Sequence, residues 1–432
     1  MDNKTEIHVY STRLRKDIIH TMKKTVIFGM LLLISAAAFS QTVYQWRGEE
    51  RKGIYNEKNL LKEWPENGPK QVLEIENIGN GYGAPVITDK EIFITGEIEE
   101  QAWLFAFSLK GDLIWKSAIG KEWVKTFPGS RSTPTVVDDL IYVTTGMGDI
   151  TCLNRETGEK VWHVETMKTL HGQPLMHGHS ESPLIFKDMV YLVPGGRDTN
   201  VVAFDRMNGK IKWICEGFGE RPGYNSPNLI ELPERNLLVT FSAYHLMGID
   251  ANTGELVWSQ EQTNIPKEKR KHGAGDTHSN TVYYEDGSIY YFAGDGNCAN
   301  RLAITPDGEK IQTVWTNSGV DNYMGGVVKI GDYFYTCTTS GKDLRSVNAE
   351  TGADSDTLKL GSGTIIYADG LLYYYSQKGR MNLIKPDNGK LQLISEFKID
   401  FGTKEHFSHP VIADGILYLR RGPVMKAWDI KE

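Results

Sequence analysis

The sequence predicts an all-β fold built from about eight copies of one four-stranded unit. A phrase recurs along the chain as "NRETGEKVW" at 154–162, "DRMNGKIKW" at 205–213 and "DANTGELVW" at 250–258. The 432 residues include 44 glycines, 20 tyrosines and 10 tryptophans, a composition typical of many turns joining aromatic-rich strands. In contrast, no segment carries a convincing apolar period of 3.6 residues, so helices are not expected to dominate.

Each copy contains four short β runs separated by glycine-containing turns. The run that follows a proline comes first, an alternating aromatic run second, and the last run ends at a tryptophan in five copies: Trp115, Trp162, Trp213, Trp258 and Trp315. Weaker copies follow at 325–358, 363–393 and 409–428. Four strands in a period of about 45 residues predict the blade of a β-propeller. We expect eight antiparallel blades, or seven if one weak copy does not form a blade.

The two ends of the chain predict how the ring closes. The last copy stops before its fourth strand, while "KQVLEIENIG" at 70–79 resembles the fourth-strand sequence "GDLIWKSAIG" at 111–120. We therefore expect residues 70–77 to complete the last blade and to remove two exposed sheet edges. On this interpretation residues 70–432 form a single propeller domain, which a leading segment, 41–69, precedes.

Residues 1–40 are interpreted as an N-terminal extension followed by a signal peptide. Lys23 and Lys24 precede the apolar run 26–34 and a stretch of small residues that ends at Ser40, where we place the cleavage. The polar stretch before Met22 suggests that translation begins at Met22. We expect export to the periplasm, or to the outer membrane or cell exterior, with no transmembrane span in the mature chain.

Charge and cysteine usage narrow the function classes. Residues 1–40 carry six basic and three acidic residues, so their removal changes the formal net charge from −7 to −10. An acidic surface repels phosphate backbones, and nucleic acid is not an expected partner. The four cysteines form no C-x-x-C pair, so we expect buried thiols rather than a disulfide framework or a zinc cluster.

The repeated tryptophans are expected to be structural. A residue found in every blade forms a ring around the axis and cannot belong to one site. We expect each indole to be buried between neighbouring blades with its N–H donated to a nearby carbonyl.

The pattern D-x-x-T-G-x-x-x-W resembles the quinoprotein-type, or PQQ-like, propeller repeat. The leading sequence "YQWRGEERKGIYNEKNLLKEWPENGPKQVLEI", 44–75, is similar to the start of exported proteins of that family. The resemblance implies a propeller, with functions that range from quinone-dependent dehydrogenases to cofactor-free scaffolds. It also implies that such a dehydrogenase would need calcium, an Asp base and a disulfide between adjacent cysteines. This chain has no adjacent cysteines, and no calcium ligand set can be assigned.

The residues just before each first strand differ between copies and should ring one mouth of the central channel. From these positions we select eight candidate ligand-binding residues: Arg131, His179, Glu181, Tyr224, Asn225, Asp276, His278 and His409. Three histidines among them, His179, His278 and His409, are candidate metal ligands, although their spacing is not a local metal motif. A polar, water-filled funnel is the simpler interpretation, and no catalytic residue is predicted.

The predicted function is that of an exported binding or scaffold module without PQQ. Its ligand would be a protein partner or a small polar or carbohydrate molecule, at a propeller face or in the funnel, and the protein is expected to be a monomer. The alternatives are a quinoprotein-like dehydrogenase that uses PQQ with calcium, or a polysaccharide lyase or hydrolase that uses the histidine-lined funnel.

Overall fold

Eight small antiparallel sheets follow one another around a ring, which confirms the predicted eight-bladed β-propeller and makes the seven-bladed alternative wrong. The computed structural model describes residues 43–432, apart from 263, 264, 272, 274 and 295. The predicted N-terminal extension and signal peptide, residues 1–40, lie outside the described residues. Within residues 43–432 as described, the three short helices have neither the length nor the apolar composition of a membrane span.

Each blade has four strands, numbered here from the channel outwards. The strands of blade 1 are Val86–Ile87, Glu91–Ile98, Gln101–Ser108 and Leu113–Lys121. Those of blade 2 are Thr135–Val137, Leu140–Thr144, Ile150–Asn154 and Lys160–Val164. Those of blade 3 are Leu184–Phe186, Met189–Leu192, Val201–Asp205 and Ile211–Cys215. Those of blade 4 are Asn228–Glu231, Asn236–Phe241, His245–Asp250 and Leu256–Glu261.

The second half of the ring repeats the arrangement. The strands of blade 5 are Tyr283–Glu285, Ser288–Phe292, Ala299–Ile304 and Ile311–Asn317. Those of blade 6 are Val327–Ile330, Tyr333–Thr338, Asp343–Asn348 and Asp354–Leu358. Those of blade 7 are Gly363–Ala368, Leu371–Ser376, Arg380–Asp387 and Lys390–Lys398. Those of blade 8 are Val411–Ala413, Ile416–Arg421, Val424–Asp429 and, from the start of the domain, Lys70–Ile75. The described helices are short: Glu49–Arg51, Thr166–Thr169 and Lys267–Lys269.

The ring closes as the sequence predicts. Lys70–Ile75 pairs antiparallel with Val424–Asp429, so the chain's first long strand completes its last blade. A buried arginine strengthens the junction with blade 1, because Arg420 of blade 8 donates to the carbonyls of Thr95 in blade 1 at 2.6 Å and of Gly79 at 2.9 Å. Both ends of the domain are thereby tied together through hydrogen bonds within one sheet and across one seam.

The repeated tryptophans lie in the seams between blades, and four of them donate as expected. Their indole nitrogens meet a carbonyl of the following blade: Trp115 with Arg155 at 3.1 Å, Trp162 with Arg206 at 2.9 Å, Trp213 with Ala251 at 3.0 Å and Trp315 with Ala349 at 3.0 Å. Burying each ring stabilises the fold by about 2–3 kcal/mol. The structural role predicted for them agrees with this geometry.

The glycine of the repeated phrase has two reasons to be there. Gly254 has a φ of +80°, which side chains disfavour, and a Cβ added to it would lie 2.7 Å from the Trp213 ring. The turn therefore fits closely against the indole of the preceding blade. The same contact, between a turn glycine and the tryptophan of the preceding blade, recurs where the sequence copies keep both residues.

Trp258 departs from this pattern. Its ring packs against Gly248 of its own blade, and its indole N–H has no hydrogen-bond partner within the described part of the chain. In the next blade, the turn residue Gly308 lies instead against Leu232 and Leu237. Within the described residues, the seam between blades 4 and 5 therefore lacks the indole-to-carbonyl hydrogen bond found in the two neighbouring seams.

The leading segment runs through the central channel. Val43–Tyr44 pairs antiparallel with the innermost strand of blade 2, and Ile54–Tyr55 pairs parallel with the innermost strand of blade 7. Because innermost strands form the channel wall, residues 43–55 cross the channel from one side to the other. We call them the channel segment. The four cysteines are buried and free, as expected for small apolar side chains.

Candidate functional site

Part of the predicted ring of residues holds the blades together. The Ala84 N–H donates to the Thr133 hydroxyl at 3.1 Å, the Thr133 N–H to the Ser182 hydroxyl at 3.1 Å, and the Ser182 N–H to the Ser226 hydroxyl at 2.8 Å. These bonds join blades 1, 2, 3 and 4 in succession. A hydroxyl residue directly before the proline of a unit therefore serves the fold.

A cavity of about 460 Å³ opens beside this belt of hydroxyls, within the size range of small-ligand sites. Loops that precede the innermost strands of seven blades contribute to its lining. Eight rings face it, one of them from the channel segment: Trp46, Tyr82, Phe127, His177, Tyr224, Tyr323, Phe407 and His409. We call this cavity the aromatic mouth.

Five of these rings form a continuous arc. Tyr82 lies 5.5 Å from Phe407 between ring centroids, and Phe407 lies 5.9 Å from Phe127. Phe127 is 5.4 Å from His177, which in turn is 6.3 Å from Tyr224. The arc joins loops from blades 8, 1, 2, 3 and 4, whose sequences do not repeat one another. Such rings offer a large and rigid contact area to a ligand.

Two rings of the arc have strained backbones. Phe127 has a φ of +46° and Tyr224 a φ of +73°, a left-handed conformation that bulky side chains disfavour. Tyr224 is held by its neighbours, since its carbonyl accepts the Ser180 hydroxyl at 2.8 Å and its hydroxyl accepts the His177 N–H at 3.3 Å. Phe127 is 41% exposed although it is a large apolar residue. Strain of this kind concentrates at functional sites.

The floor of the aromatic mouth is supplied by the channel segment. The Trp46 ring meets His409 edge to face at 5.3 Å, and one Arg47 guanidinium nitrogen lies 3.2 Å from His409 Nδ1. Arg47 also donates to the carbonyls of Ile365 at 2.8 Å and Val327 at 2.6 Å. Burial, together with the Arg47 charge, lowers the pKa of His409 well below its usual value. His409 is therefore a neutral acceptor at neutral pH.

A second buried guanidinium lies deeper in the channel. Arg51 donates to the carbonyls of Ser182 at 3.0 Å and Pro183 at 2.7 Å. Burial lowers the pKa of Arg47 and of Arg51 to about 10, so both remain charged at neutral pH. Neither forms an ion pair with a carboxylate among the described residues. Carbonyl dipoles, rather than acidic side chains, solvate these two charges.

The structure brings three of the eight candidate residues to the aromatic mouth: Arg131, Tyr224 and His409. The Arg131 guanidinium lies 5.8 Å from the Tyr82 ring centroid and donates to the carbonyls of Thr126 at 2.9 Å and Phe127. Burial lowers the pKa of Arg131 from its usual value. Arg131 therefore supports the Phe127 loop while it contributes positive charge to the wall.

The other five candidates lie behind the wall, in blade packing. His179 Nε2 is 3.1 Å from the Gln173 carbonyl, and burial lowers the pKa of His179 to about 4. The Asn225 amide donates to Thr240 Oγ1 at 3.1 Å, and His278 Nε2 is 3.1 Å from the Ala243 carbonyl. Their assignment as ligand-binding residues stays a prediction.

Two acidic candidates complete this group. Asp276 is fully buried and pairs with Arg221 at 2.7 Å. One Glu181 oxygen accepts the Val193 N–H at 2.9 Å, and the other has no partner among the described residues. Burial raises the pKa of Glu181 to about 8, against the opposing effects of that N–H and of Arg51. Within the described residues, no three His, Cys, Asp or Glu side chains converge as a metal site would require.

Sequence reasoning missed Trp46, Tyr82 and Phe127. Phe127 lies only four positions before the candidate Arg131, in the same loop. An aromatic residue close before a predicted innermost strand is the signal that would have identified Phe127 and Tyr82. No comparable signal exists for Trp46, because its position depends on the path of the channel segment.

The channel segment also separates the aromatic mouth from a second cavity. This cavity, of about 370 Å³, is lined by Gln45, Arg47 and Lys52 of the segment, and Trp46 borders both spaces. The Lys52 ammonium lies 5.3 Å from the Tyr283 ring centroid within it. The two ends of the channel therefore present different chemistry.

The fold and its seams define the class of protein: an eight-bladed propeller of PQQ-type repeats. The family model described as "Outer membrane protein assembly factor BamB" matches residues 100–355, more than half of the chain. The chain belongs to this family. The resemblance seen in its repeats is thereby confirmed.

Relatives with known names include enzymes. The chain is 26% identical over 241 residues to methanol dehydrogenase [cytochrome c] subunit 1 of Methylorubrum extorquens, covering 51% of this chain and 34% of that protein. It is also 26% identical over 187 residues to tetrathionate hydrolase of Acidithiobacillus ferrooxidans, covering 37% of this chain and 34% of that one. The chain thus spans about a third of the length of these relatives.

Two solved structures share the fold. The crystal structure of BamB from Moraxella catarrhalis has a TM-score of 0.59 at 15% identity, covering 84% of this chain and 98% of that one. The computationally designed Ika8 protein has a TM-score of 0.57 at 13% identity, covering 84% of this chain and 100% of its own. At these identities the likeness concerns the fold alone.

Proposed function

We propose that the protein is an exported binding propeller that holds a ligand, or a group of a protein partner, in the aromatic mouth without bound PQQ. The observation that carries this proposal is the convergence of unrepeated loops from seven blades on one cavity, with two strained aromatic residues in its wall. Export to the periplasm or the outer membrane agrees with the signal-like sequence at 1–40 and with the name of the family.

A quinone cofactor fits the described residues of the aromatic mouth poorly. PQQ is a planar quinone with several carboxylates, and calcium beside it would need oxygen ligands that include Asp or Glu. None of the described lining residues is acidic. We therefore assign no step to a quinone.

Hydrolysis of a glycosidic bond is supported equally poorly. Most glycoside hydrolases use two carboxyl groups that flank the scissile bond, one as acid and one as base or nucleophile. The described lining residues offer none, and the nearby Glu181 lies behind the wall beside Arg51. These facts favour binding over cleavage at the aromatic mouth.

The proposal is tested by ligand screening with matched variants. Wild-type protein, Phe127→Ala and Phe218→Ala would be screened by differential scanning fluorimetry against saccharides, peptides, lipids and PQQ with calcium. Phe218 is the control, because it is also exposed, at 42%, but lies outside the aromatic mouth. We expect ligands whose stabilising effect is lost in Phe127→Ala and retained in Phe218→Ala. The proposal would be refuted by stoichiometric binding of PQQ with calcium-dependent dye reduction. It would also be refuted if every stabilising ligand stabilised Phe127→Ala as strongly as wild type.

A further inference from the structure

We infer that the ligand of the aromatic mouth is a carbohydrate, bound through a pyranose ring, and that acidic sugars are preferred over neutral ones. The inference rests on the proposed function and names its ligand class. It is carried by three features: an aromatic wall, an unsatisfied hydroxyl among polar neighbours, and arginines in and behind the wall without acidic lining residues.

The aromatic wall suits one face of a sugar ring. A pyranose presents C–H groups on a face, and these pack against the electron-rich faces of aromatic rings. The arc from Tyr82 to Tyr224 offers several such rings at centroid separations between 5.4 and 6.3 Å. Phe127 remains 41% exposed, so its ring is accessible from the cavity side.

The opposite side of the aromatic mouth is polar. Thr277 and Ser279 line it, and the buried Ser279 hydroxyl has no hydrogen-bond partner among the described residues. A buried hydroxyl without a partner is costly, so a ligand with hydroxyl groups of its own gains from meeting it. An entirely apolar ligand would leave Ser279 unsatisfied. The aromatic mouth therefore matches a molecule that is apolar on one face and polar at its edge.

The charges around the aromatic mouth favour an anion. Arg131 lies in its wall, Arg47 lies behind the lining residue His409 at 3.2 Å, and Arg51 lies deeper in the channel. Burial raises the pKa of the nearby Glu122, and it raises the pKa of Glu181 to about 8, so Glu181 neutralises little of this positive charge at neutral pH.

One acidic group does approach the rim. Glu405 accepts the Tyr82 hydroxyl at 2.7 Å, and it reduces the positive field on that side. Three guanidinium charges against this carboxylate still disfavour a cation, although aromatic cages elsewhere bind quaternary ammonium groups. A sugar carboxylate, in contrast, complements the field.

Isothermal titration calorimetry with defined tetrasaccharides tests the inference. The probes are an oligogalacturonate, a neutral malto-oligosaccharide, and an acidic peptide that contains one phenylalanine. For the oligogalacturonate we expect a Kd between about 10 μM and 1 mM, as is reasonable for a ligand of this size. The neutral sugar should bind about tenfold more weakly, and the peptide should not compete. The chain has ten tryptophans, so a ligand-induced change in tryptophan emission that is lost in Trp46→Phe would report occupancy independently.

Variants locate the binding. Phe127→Ala and Tyr224→Ala should each weaken oligogalacturonate binding by about tenfold or more, whereas Phe218→Ala should change it by less than about twofold. Ser279→Ala removes the hydroxyl with little change in shape and should weaken binding about three- to tenfold. Thermal unfolding of each variant shows whether it is folded, and Ser279→Ala serves if the aromatic variants are not.

The outcomes separate the two claims. If neither sugar binds at millimolar concentration while another ligand class binds and depends on Phe127, the carbohydrate inference is wrong and the proposed binding function stands. If sugars bind equally well to Phe127→Ala and Ser279→Ala, the aromatic mouth is not their site and the inference fails. If no ligand of any class depends on Phe127, both claims fail.

Discussion

The seams and the aromatic mouth use the same kinds of side chain in opposite ways. In the seams, Trp115, Trp162, Trp213 and Trp315 make one contact four times, each with a carbonyl of the next blade. In the aromatic mouth, Tyr82, Phe127 and Tyr224 come from loops with no shared sequence, and two of them have strained backbones. Residues that recur in each blade thus build the ring. Residues that differ from blade to blade have an arrangement that the ring itself does not require.

The channel segment contacts both the blades and the aromatic mouth. Removing its buried charge at Arg47 should have the largest effect on the free energy of unfolding. Arg47→Met would leave the carbonyls of Ile365 and Val327 and the nitrogen of His409 without their donor. Each unsatisfied buried group costs about 1–3 kcal/mol, so we expect a loss of about 3–5 kcal/mol in the free energy of unfolding. Urea denaturation of both proteins measures this. A loss below about 1 kcal/mol would mean that the segment is not a structural part of the ring.

The buried Glu181, behind the wall of the aromatic mouth, should make the stability of the protein depend on pH. Its pKa of about 8 in the folded protein exceeds the usual carboxyl value, so the folded state holds a proton that the unfolded state releases. Stability from this group is full at low pH and is lost as pH rises from about 4.5 to about 8.

Glu181→Gln should remove that loss. We expect the variant to gain about 2–4 kcal/mol over wild type between pH 5 and pH 8.5, because a glutamine cannot ionise. Urea midpoints at both pH values give the difference. Asp149→Asn is the comparison variant: burial raises the pKa of that half-buried carboxyl to about 6, so its gain over wild type should stop growing near pH 6 rather than near pH 8. A constant difference between Glu181→Gln and wild type across this range would contradict the assignment.

Replacing a glycine in a seam should lower the free energy of unfolding by a smaller amount. Gly254→Ala forces a side chain into a backbone with a φ of +80° and against the Trp213 ring at 2.7 Å. We expect a loss of about 2 kcal/mol from strain and displacement together. Gly370→Ala is a matched control, because Gly370 has a φ of +87° but nothing within 4 Å of an added Cβ. Equal losses would show that the contact with the indole contributes nothing.

The smallest expected difference in stability is between substitutions of two repeated tryptophans, Trp213 and Trp258. Trp213→Phe removes an indole N–H that donates to Ala251 at 3.0 Å, whereas the Trp258 N–H has no partner among the described residues. We expect Trp213→Phe to cost about 1 kcal/mol more than Trp258→Phe. Thermal or urea unfolding of the pair measures the difference. A larger loss for Trp258→Phe would show that its N–H is satisfied in solution.

The sequence predicted the blades and the closure of the ring, because these features follow from its repeats. It did not predict the features that depend on the path of the channel segment. Eight blades and closure by residues 70–77 followed from comparing copies, because each copy has the same strands and turns. The channel segment could not be predicted, since Val43–Tyr44 and Ile54–Tyr55 are two-residue strands without periodicity. The buried charge of Arg47 also runs against the usual exposure of arginine.

The structure divides the candidate site residues for a related reason. Arg131, Tyr224 and His409, from the starts of the units, line the aromatic mouth, and their role in ligand binding stays a prediction. His179 and Asp276 come from the same loops but face partners inside the protein, the Gln173 carbonyl for His179 and Arg221 for Asp276. Sequence identifies the loop, whereas packing determines which of its side chains reach the channel.

The most direct test of this account replaces Phe127 with glycine. The φ of +46° at Phe127 is unfavourable for phenylalanine and unstrained for glycine, so Phe127→Gly should be as stable as wild type or more stable by up to about 1 kcal/mol. Its affinity for the oligogalacturonate probe should fall by about tenfold or more. Unchanged stability with lost binding is the predicted result, whereas reduced stability with unchanged affinity would show that the ring at 127 serves the fold.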